Sequence, residues 1–309
     1  MRVKAAVAFL AVMLAACQPQ GGAGPSPAEQ HQALAAQCGG GDIGACTTLI
    51  DDPAIAAPQR GAYLVSRGQA RRALGETTAA LRDFEAALRA DPNQAGASLG
   101  RGEILLESGQ LDAAQPLFER ALAAGPSGRA SLGLARIADA HGDVPGAITH
   151  LHAALTADPN LAEAHALRAR ILKQSGDLEG ARREYAHAIR IDSALAVARA
   201  GRCRLNLETN ESLDQARDDA AAGVLADPAN VEAQICRGIL QLRDREAEAA
   251  LASFAAALEV EPGNPEALFG HGIARMRTGD SQGSRDMNRA RQFSSHIGQR
   301  FEQLGVSTR

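Results

Sequence analysis

Apolar residues recur along this chain of 309 residues in a fixed order of small and large side chains. In the first copy Ala80 is followed by Phe84, Ala87 and Pro92, at spacings of four, three and five. Spacings of three and four place side chains on one face of a helix, so each copy predicts an amphipathic helix that ends before proline. The copies start 33–35 residues apart, at Ala80, Ala114, Ala147, Ala181, Ala216 and Ala250.

A second element, marked by a small residue and a glycine, precedes each copy. In the first copy Gly68 is the small residue, and a turn glycine, Gly75, follows seven positions later. A helix that ends at glycine, followed by a helix that ends before proline, is a helical hairpin, and a fixed period of hairpins predicts a repeat array. The other small residues are Gly102, Ala135, Ala169, Cys203, Gly238 and Gly272, and the other turn glycines are Gly109, Gly142, Gly176 and Gly279.

The register of these residues resembles the tetratricopeptide repeat, a helical hairpin of about 34 residues. That repeat has a small residue at position 8, glycine at 15, alanine, an aromatic residue and alanine at 20, 24 and 27, and proline at 32. The match extends from Gly61 to Ala290, and the fifth repeat departs most, with Ala220 in the aromatic position and no turn glycine. The resemblance implies an all-α fold, a right-handed α-solenoid of helical hairpins with six full repeats and degenerate ends.

The repeat and its flanking sequences divide the chain into five predicted segments. Terminal repeats in such arrays are usually degenerate, because one face must meet water. The segments are a lipoprotein signal peptide (1–16), a flexible tether rich in glycine and proline (17–30), a degenerate N-terminal helical pair (31–58), the repeat array (61–294) and a capping helix (295–309) with Ile297, Phe301 and Leu304 on one side.

The amino-terminal segment predicts export and lipidation. It has a basic start followed by an apolar run that is too short to span a membrane comfortably. The sequence from Leu14 to Cys17 is similar to the bacterial lipobox, which implies a lipid on Cys17 and attachment to a membrane. Gln18 is not the aspartate that retains enteric lipoproteins in the inner membrane, so we expect an outer-membrane lipoprotein that faces the periplasm. An ordinary signal peptide is the alternative.

Four further cysteines follow in a chain that we expect to leave the cytosol, where disulfides are permitted. Cys38 and Cys46 lie eight residues apart in the short N-terminal pair, and we favour a disulfide there over two buried thiols. Cys203 occupies the small position of the fifth repeat, which favours a core residue. A disulfide between Cys203 and Cys236 is the less favoured alternative.

Charge and motifs exclude several classes of function. The formal net charge is −4, which argues against nucleic acid as a partner. The sequence has no G-x-S-x-G, no P-loop, no H-E-x-x-H and no C-x-x-C, so we expect neither an enzyme nor a cofactor or metal site. Function is then expected from a binding surface.

The resemblance places that surface on the first helices, where positions 2, 5, 9 and 12 of the family usually contact ligands. Position 9 is Arg136, Arg170 and Arg204 in three successive repeats, with Lys173 one turn beyond Arg170. These cations predict an acidic partner, and the apolar residues of the same groove predict that it is also hydrophobic. Alternatively, Arg136 and Arg204 could pair with Asp139 and Glu208 on their own helices. The apolar residues predicted for the same groove are Ile235, Ile239, Leu242, Phe269, Ile273 and Met276.

The combined prediction is a lipid-anchored scaffold or adaptor of the bacterial cell envelope. It would bind a protein or peptide in its concave groove, in assembly of a pilus, a secretion channel or the cell-wall machinery. The alternative is a regulatory or targeting subunit of an envelope enzyme.

Overall fold

A computed structural model describes residues 26–307. Cys17, the predicted signal peptide and most of the predicted tether lie outside these residues. The described residues contain helices and no strand. The helices are α1 (Pro27–Gly39), α2 (Ile43–Asp51), α3 (Ala57–Ala73), α4 (Thr77–Ala90), α5 (Ala95–Glu107), α6 (Leu111–Ala123), α7 (Gly128–Ala140), α8 (Val144–Ala157), α9 (Ala162–Ser175), α10 (Leu178–Ile191), α11 (Ala196–Thr209), α12 (Leu213–Ala226), α13 (Val231–Arg243), α14 (Ala247–Val260), α15 (Pro265–Arg277), α16 (Gly283–Phe293) and α17 (Ile297–Gln303).

The described residues form two compact units, one that ends at Asp83 and one that begins at Phe84. In the first unit, α1 begins at Pro27, inside the predicted tether. The reason is a capping box that the sequence reading missed: the Ser26 hydroxyl accepts from the Glu29 backbone N–H, and the Glu29 carboxylate accepts from the Ser26 N–H. A disulfide joins Cys38 at the end of α1 to Cys46 in α2, with 4.6 Å between the Cα atoms.

The second unit is an α-solenoid of helical hairpins, as the repeat pattern predicts. The turn glycines between the paired helices adopt the left-handed backbone that favours glycine, for example Gly109 at φ 75° and Gly176 at φ 89°. The alanine–aromatic–alanine residues form the core between hairpins, because small side chains let the helix axes approach closely. Phe118 and Phe254 are fully buried, and Tyr185 is nearly so.

Two buried rings of the array, Phe118 and Phe254, each lie against glycine on two first helices. Phe118 contacts Gly102 of its own hairpin and Gly133 of the next, and Phe254 contacts Gly238 and Gly270 in the same way. A Cβ at any of these glycines would meet the ring. The ring therefore ties successive hairpins together through positions 6 and 8 of their first helices.

The fifth hairpin uses other residues for both its turn and its core. Asn210 and Ser212, at φ 55° and 47°, take the left-handed positions in place of glycine. Cys203 of α11 and Cys236 of α13 form a disulfide with 6.4 Å between Cα atoms. The expectation of a free core thiol at Cys203 is therefore wrong, and the less favoured alternative is the one observed. Within residues 26–307, no helix combines the length and apolar character needed to cross a membrane.

Candidate binding groove

A cavity of about 470 Å³ lies on the first-helix side of the second unit. Its floor is formed by α9 and α11, with Tyr185 of α10 between them. Leu167, Ala200 and Gly201 are small or largely buried there, whereas Val197 is 52 % exposed although it is apolar. Burial raises the pKa of the Tyr185 hydroxyl above its usual range, so this floor group stays neutral. The floor therefore offers accessible apolar surface.

Ion pairs between neighbouring first helices form the rim of the cavity. Arg136 of α7 binds Glu163 of α9 at 2.7 Å, and Arg170 of α9 binds back to Asp139 of α7. Lys173 of α9 binds Glu208 of α11 at 3.0 Å. These pairs join adjacent repeats, so the alternative pairing of Arg136 with Asp139 on its own helix is wrong.

Arg204 differs from the other two arginines because it is buried, with 3 % of its surface exposed. It binds Glu232 of α13 and Glu266 of α15, and not Glu208 on its own helix. Burial alone would lower the pKa of Arg204. The two carboxylates raise this pKa by more than burial lowers it, so the net shift is upward. Desolvation alone would raise the pKa of Glu232. The Arg204 guanidinium more than offsets the effect of desolvation, so the pKa of Glu232 is lowered.

The rim as a whole is balanced in charge. Every cation predicted to face a ligand is bound to at least one carboxylate, so each has a counter-charge within the protein. Arg204 is less accessible than the sequence predicts, because its side chain is buried and binds two carboxylates. The paired cations are Arg136, Arg170, Lys173, Arg204 and Arg300, and the carboxylates are Asp139, Glu163, Glu208, Glu232 and Glu266.

The predicted apolar end of the groove is covered by the chain itself. Ile297, Phe301 and Leu304 of the last helical segment pack into one buried cluster with the first helices α13 and α15. The ring centroids of Phe269 and Phe301 are 5.1 Å apart. The side chains assigned to a ligand site but buried at 0–4 % exposure are Ile235, Ile239, Leu242, Phe269 and Ile273.

Met276 is the exception among the predicted apolar residues. Its side chain is 48 % exposed and borders a second cavity of about 410 Å³ at the C-terminal end of the unit, together with Met287 and Arg291. The groove residues that stay accessible therefore fall into two regions. They are the central cavity around Val197 and the small cavity at Met276.

Sequence reasoning missed a second set of ion pairs, which lies inside the hairpins. A basic residue just before the small position of the first helix binds a polar residue just before the aromatic position of the second helix. Arg202 binds the buried Asp219 in this way, and Arg168 binds Glu184 at 2.7 Å. The signal was present in the sequence as a basic residue followed 15–17 positions later by an acidic residue, or by serine in the case of Ser253. The corresponding contacts are Arg67–Asp83, Arg168–Glu184, Arg202–Asp219, Arg237–Ser253 and His271–Asp286.

The stacked hairpins and groove define a helical repeat protein, and comparison with protein families gives the family. One tetratricopeptide repeat model matches residues 65–129, 105–162 and 237–295, and a second matches residues 140–200. These matches span more than half of the chain, so the chain belongs to the tetratricopeptide repeat family. No enzyme family is indicated. No curated protein matches the sequence.

Two solved structures share the fold at low sequence identity. A chain from the crystal structure of the APC/C hetero-tetramer Cut9-Hcn1 has a TM-score of 0.64 and 15 % identity over 79 % of this chain. This protein spans about half of that chain, 48 %. The pilF protein of Pseudomonas aeruginosa has a TM-score of 0.56 and 15 % identity, over 67 % of this chain and 96 % of its own.

Proposed function

We propose that this protein is a lipid-anchored, non-catalytic scaffold of the bacterial cell envelope that binds an extended segment of a partner protein in the central cavity. The observation that carries the proposal is the exposed apolar floor at Val197 within a rim of ion pairs. Apolar cavities with a few polar groups at the edge are the usual form of a ligand site. The matching chain of the APC/C structure also belongs to an assembly, the hetero-tetramer Cut9-Hcn1.

The partner segment that fits this cavity presents an apolar side chain next to a carboxylate. The apolar side chain lies over Val197 and Leu167. The carboxylate binds Arg136 or Arg170, whose side chains are 43 % and 40 % exposed. Each of these arginines donates to its own carboxylate through Nη2, and a guanidinium has five N–H donors. Because the rim is balanced in charge, we expect affinity to depend on salt only weakly.

Two features support the envelope as the location. The sequence from Leu14 to Cys17 is similar to a lipobox. Both disulfides of the described chain, Cys38–Cys46 and Cys203–Cys236, are typical of an oxidising compartment. We place the protein on the periplasmic face of the outer membrane, where it would serve assembly of an envelope machine such as a pilus, a secretion channel or the cell-wall complex.

The groove is tested by site-specific photo-crosslinking in the full-length protein in cells. A photoreactive residue at Val197 should capture a defined partner, and the same residue at Leu225, which is 85 % exposed on α12 outside the cavity, should not. Arg170→Glu should weaken the Val197 crosslink. Equal capture at both positions would reject the groove as the binding surface.

The anchor is tested separately with Cys17→Ser. The wild-type protein should fractionate with the outer membrane, and the variant should be released or retained unprocessed. A wild-type protein that is already soluble in the periplasm would reject the lipid anchor without affecting the groove.

A further inference from the structure

The last helical segment, residues 297–306, lies inside the groove like a bound peptide. Helix α17 packs on α15 and α16, and contacts of this segment reach two earlier first helices, α11 and α13. Arg300 reaches Glu208 of α11 at 3.5 Å and Glu266 of α15. Arg243 of α13 donates from Nη1 to the Leu304 carbonyl at 3.2 Å.

The contacts of this segment have the pattern of an amphipathic helix in a groove. Its apolar side is Ile297, Phe301, Leu304 and Val306, which are 0–3 % exposed against the core residues of α13 and α15. Arg300, which is half exposed, forms its ion pairs with Glu208 and Glu266. The spacings of four and three from Ile297 through Phe301 to Leu304 are those of a helix that binds through one face.

The C-terminal end of the segment is also fixed by hydrogen bonds, within α17 and from α15. Gly305 takes a left-handed backbone at φ 77°, and the Val306 N–H donates back to the Phe301 carbonyl at 2.9 Å, which closes α17. Arg277 of α15 donates to the Ser307 carbonyl at 2.9 Å. Side chains of the groove thus hold the backbone beyond the helix.

The same carboxylates connect the segment to the central cavity. Glu208 binds Lys173 on the cavity rim and Arg300 on α17. Glu266 binds Arg204, which lines the cavity, and the same Arg300. The segment therefore closes the C-terminal end of a groove that otherwise continues from the cavity over α13 and α15.

We propose that residues 297–306 are a built-in ligand, and that a partner's amphipathic helix with the same pattern, apolar residues at helical spacing around one arginine, replaces them in the groove. This inference extends the proposed function, since it assumes that the groove binds partners. Closure by α17 lowers the apparent affinity for such a helix, because only the open fraction of the protein can bind it. A helix with acidic residues facing Glu208 and Glu266 is excluded by like charge.

The test uses the full-length protein and a labelled synthetic peptide with the sequence of residues 294–307. Arg300→Glu places a carboxylate against Glu208 and Glu266 and should open α17. The matched control is Arg289→Glu, an exposed arginine of α16 for which the described residues show no ion pair. By fluorescence anisotropy, Arg300→Glu should bind the peptide at least about tenfold more tightly than the wild type or the control.

Two further measurements make the result decisive. A peptide with Phe301→Ala should not bind, because it lacks the ring that packs on Phe269. Hydrogen exchange should show faster exchange at the α17 amides of Arg300→Glu with α15 unchanged; if it does not, Arg300→Glu combined with Phe301→Ala opens the segment instead. The proposal is overturned if an opened variant fails to bind the peptide, or if α17 exchanges only together with α15. Neither outcome depends on the natural partner, so the proposed function is judged independently.

Discussion

Cys203 and Cys236 occupy the two positions that flank a buried ring elsewhere in the array. They correspond to Gly102 and Gly133 around Phe118, at positions 8 and 6 of successive first helices. The fifth hairpin has Ala220 where the ring would be, and Ala220 belongs to the same buried cluster as both cysteines. The disulfide therefore takes the place of the missing ring and joins the two hairpins covalently.

This relationship predicts that a ring can replace the disulfide. Cys203→Gly with Cys236→Gly opens a loop of 34 residues and should lower the free energy of unfolding by about 4 kcal/mol. Adding Ala220→Phe should restore about 2 kcal/mol, because a buried phenylalanine fills the space between the two glycines. Urea unfolding of the three proteins measures both effects. A triple variant no more stable than the double variant would show that the disulfide does not occupy the ring position.

The close contact between the Phe118 ring and Gly133 predicts how changes at either residue alter stability. In Gly133→Ala the added Cβ would lie 2.5–2.6 Å from the Phe118 ring, so we expect a loss of about 1–3 kcal/mol despite the better helix propensity of alanine. Phe118→Leu should relieve the clash, and the double variant should be more stable than the sum of the single effects by at least ~0.5 kcal/mol.

Gly39→Ala in α1 is the control for the helix propensity of alanine, since an added Cβ there meets nothing within 4 Å. It should be neutral or slightly stabilising in the same thermal and urea unfolding measurements. Additive effects of Gly133→Ala and Phe118→Leu would contradict the contact between ring and glycine as the cause.

The sequence predicted the hairpins well, because their determinants are local. Alanine spacing, the turn glycines and the prolines act within one repeat, and residues such as Gly176 and Phe254 have the roles expected of them. The charges of the groove could not be predicted in the same way. Helix spacing predicts partners for Arg136 only at i, i+3 or i, i+4, whereas its carboxylate, Glu163, is 27 residues away on the next first helix.

The apolar end of the groove was mispredicted for a different reason. Ile239 and Phe269 do stand at groove positions of their repeats, as the family pattern indicates. Whether such positions face a partner depends on what covers them, and the register between α17 and the first helices is a tertiary relationship. The apolar face of Phe301 predicted a cap, but not that the cap would lie inside the groove.

The groove pair Arg204–Glu232 predicts a specific pH dependence. The pKa of Glu232 is lowered in the folded protein, so the unfolded chain takes up this proton at a higher pH than the folded chain does. The stabilisation is therefore present above about pH 4.5 and is lost as the pH falls through the lower folded pKa. Glu232→Gln should be less stable than the wild type at neutral pH, and the difference should shrink in acid.

Urea unfolding at several pH values between about 7 and 3 measures this difference. Glu259→Gln, an exposed glutamate of α14, controls for the loss of one carboxylate. A difference between the wild type and Glu232→Gln that stays constant over the whole range would contradict the assignment.

The hairpin ion pairs predict the largest single effect, at Asp219 of α12. Its side chain is fully buried and binds two arginines of α11: Arg199 at 2.9 Å and Arg202 at 2.6 Å and 2.8 Å. Asp219→Ala leaves both guanidinium groups without this carboxylate in a buried site, which typically costs about 3–5 kcal/mol. Asp214→Ala on the same helix removes an exposed partner of Arg217 and should change the free energy of unfolding by less than about 1 kcal/mol. Circular-dichroism melts of both variants measure the contrast. If Asp219→Ala and Asp214→Ala were equally stable, the buried contacts of Asp219 with Arg199 and Arg202 would contribute no more than a surface ion pair.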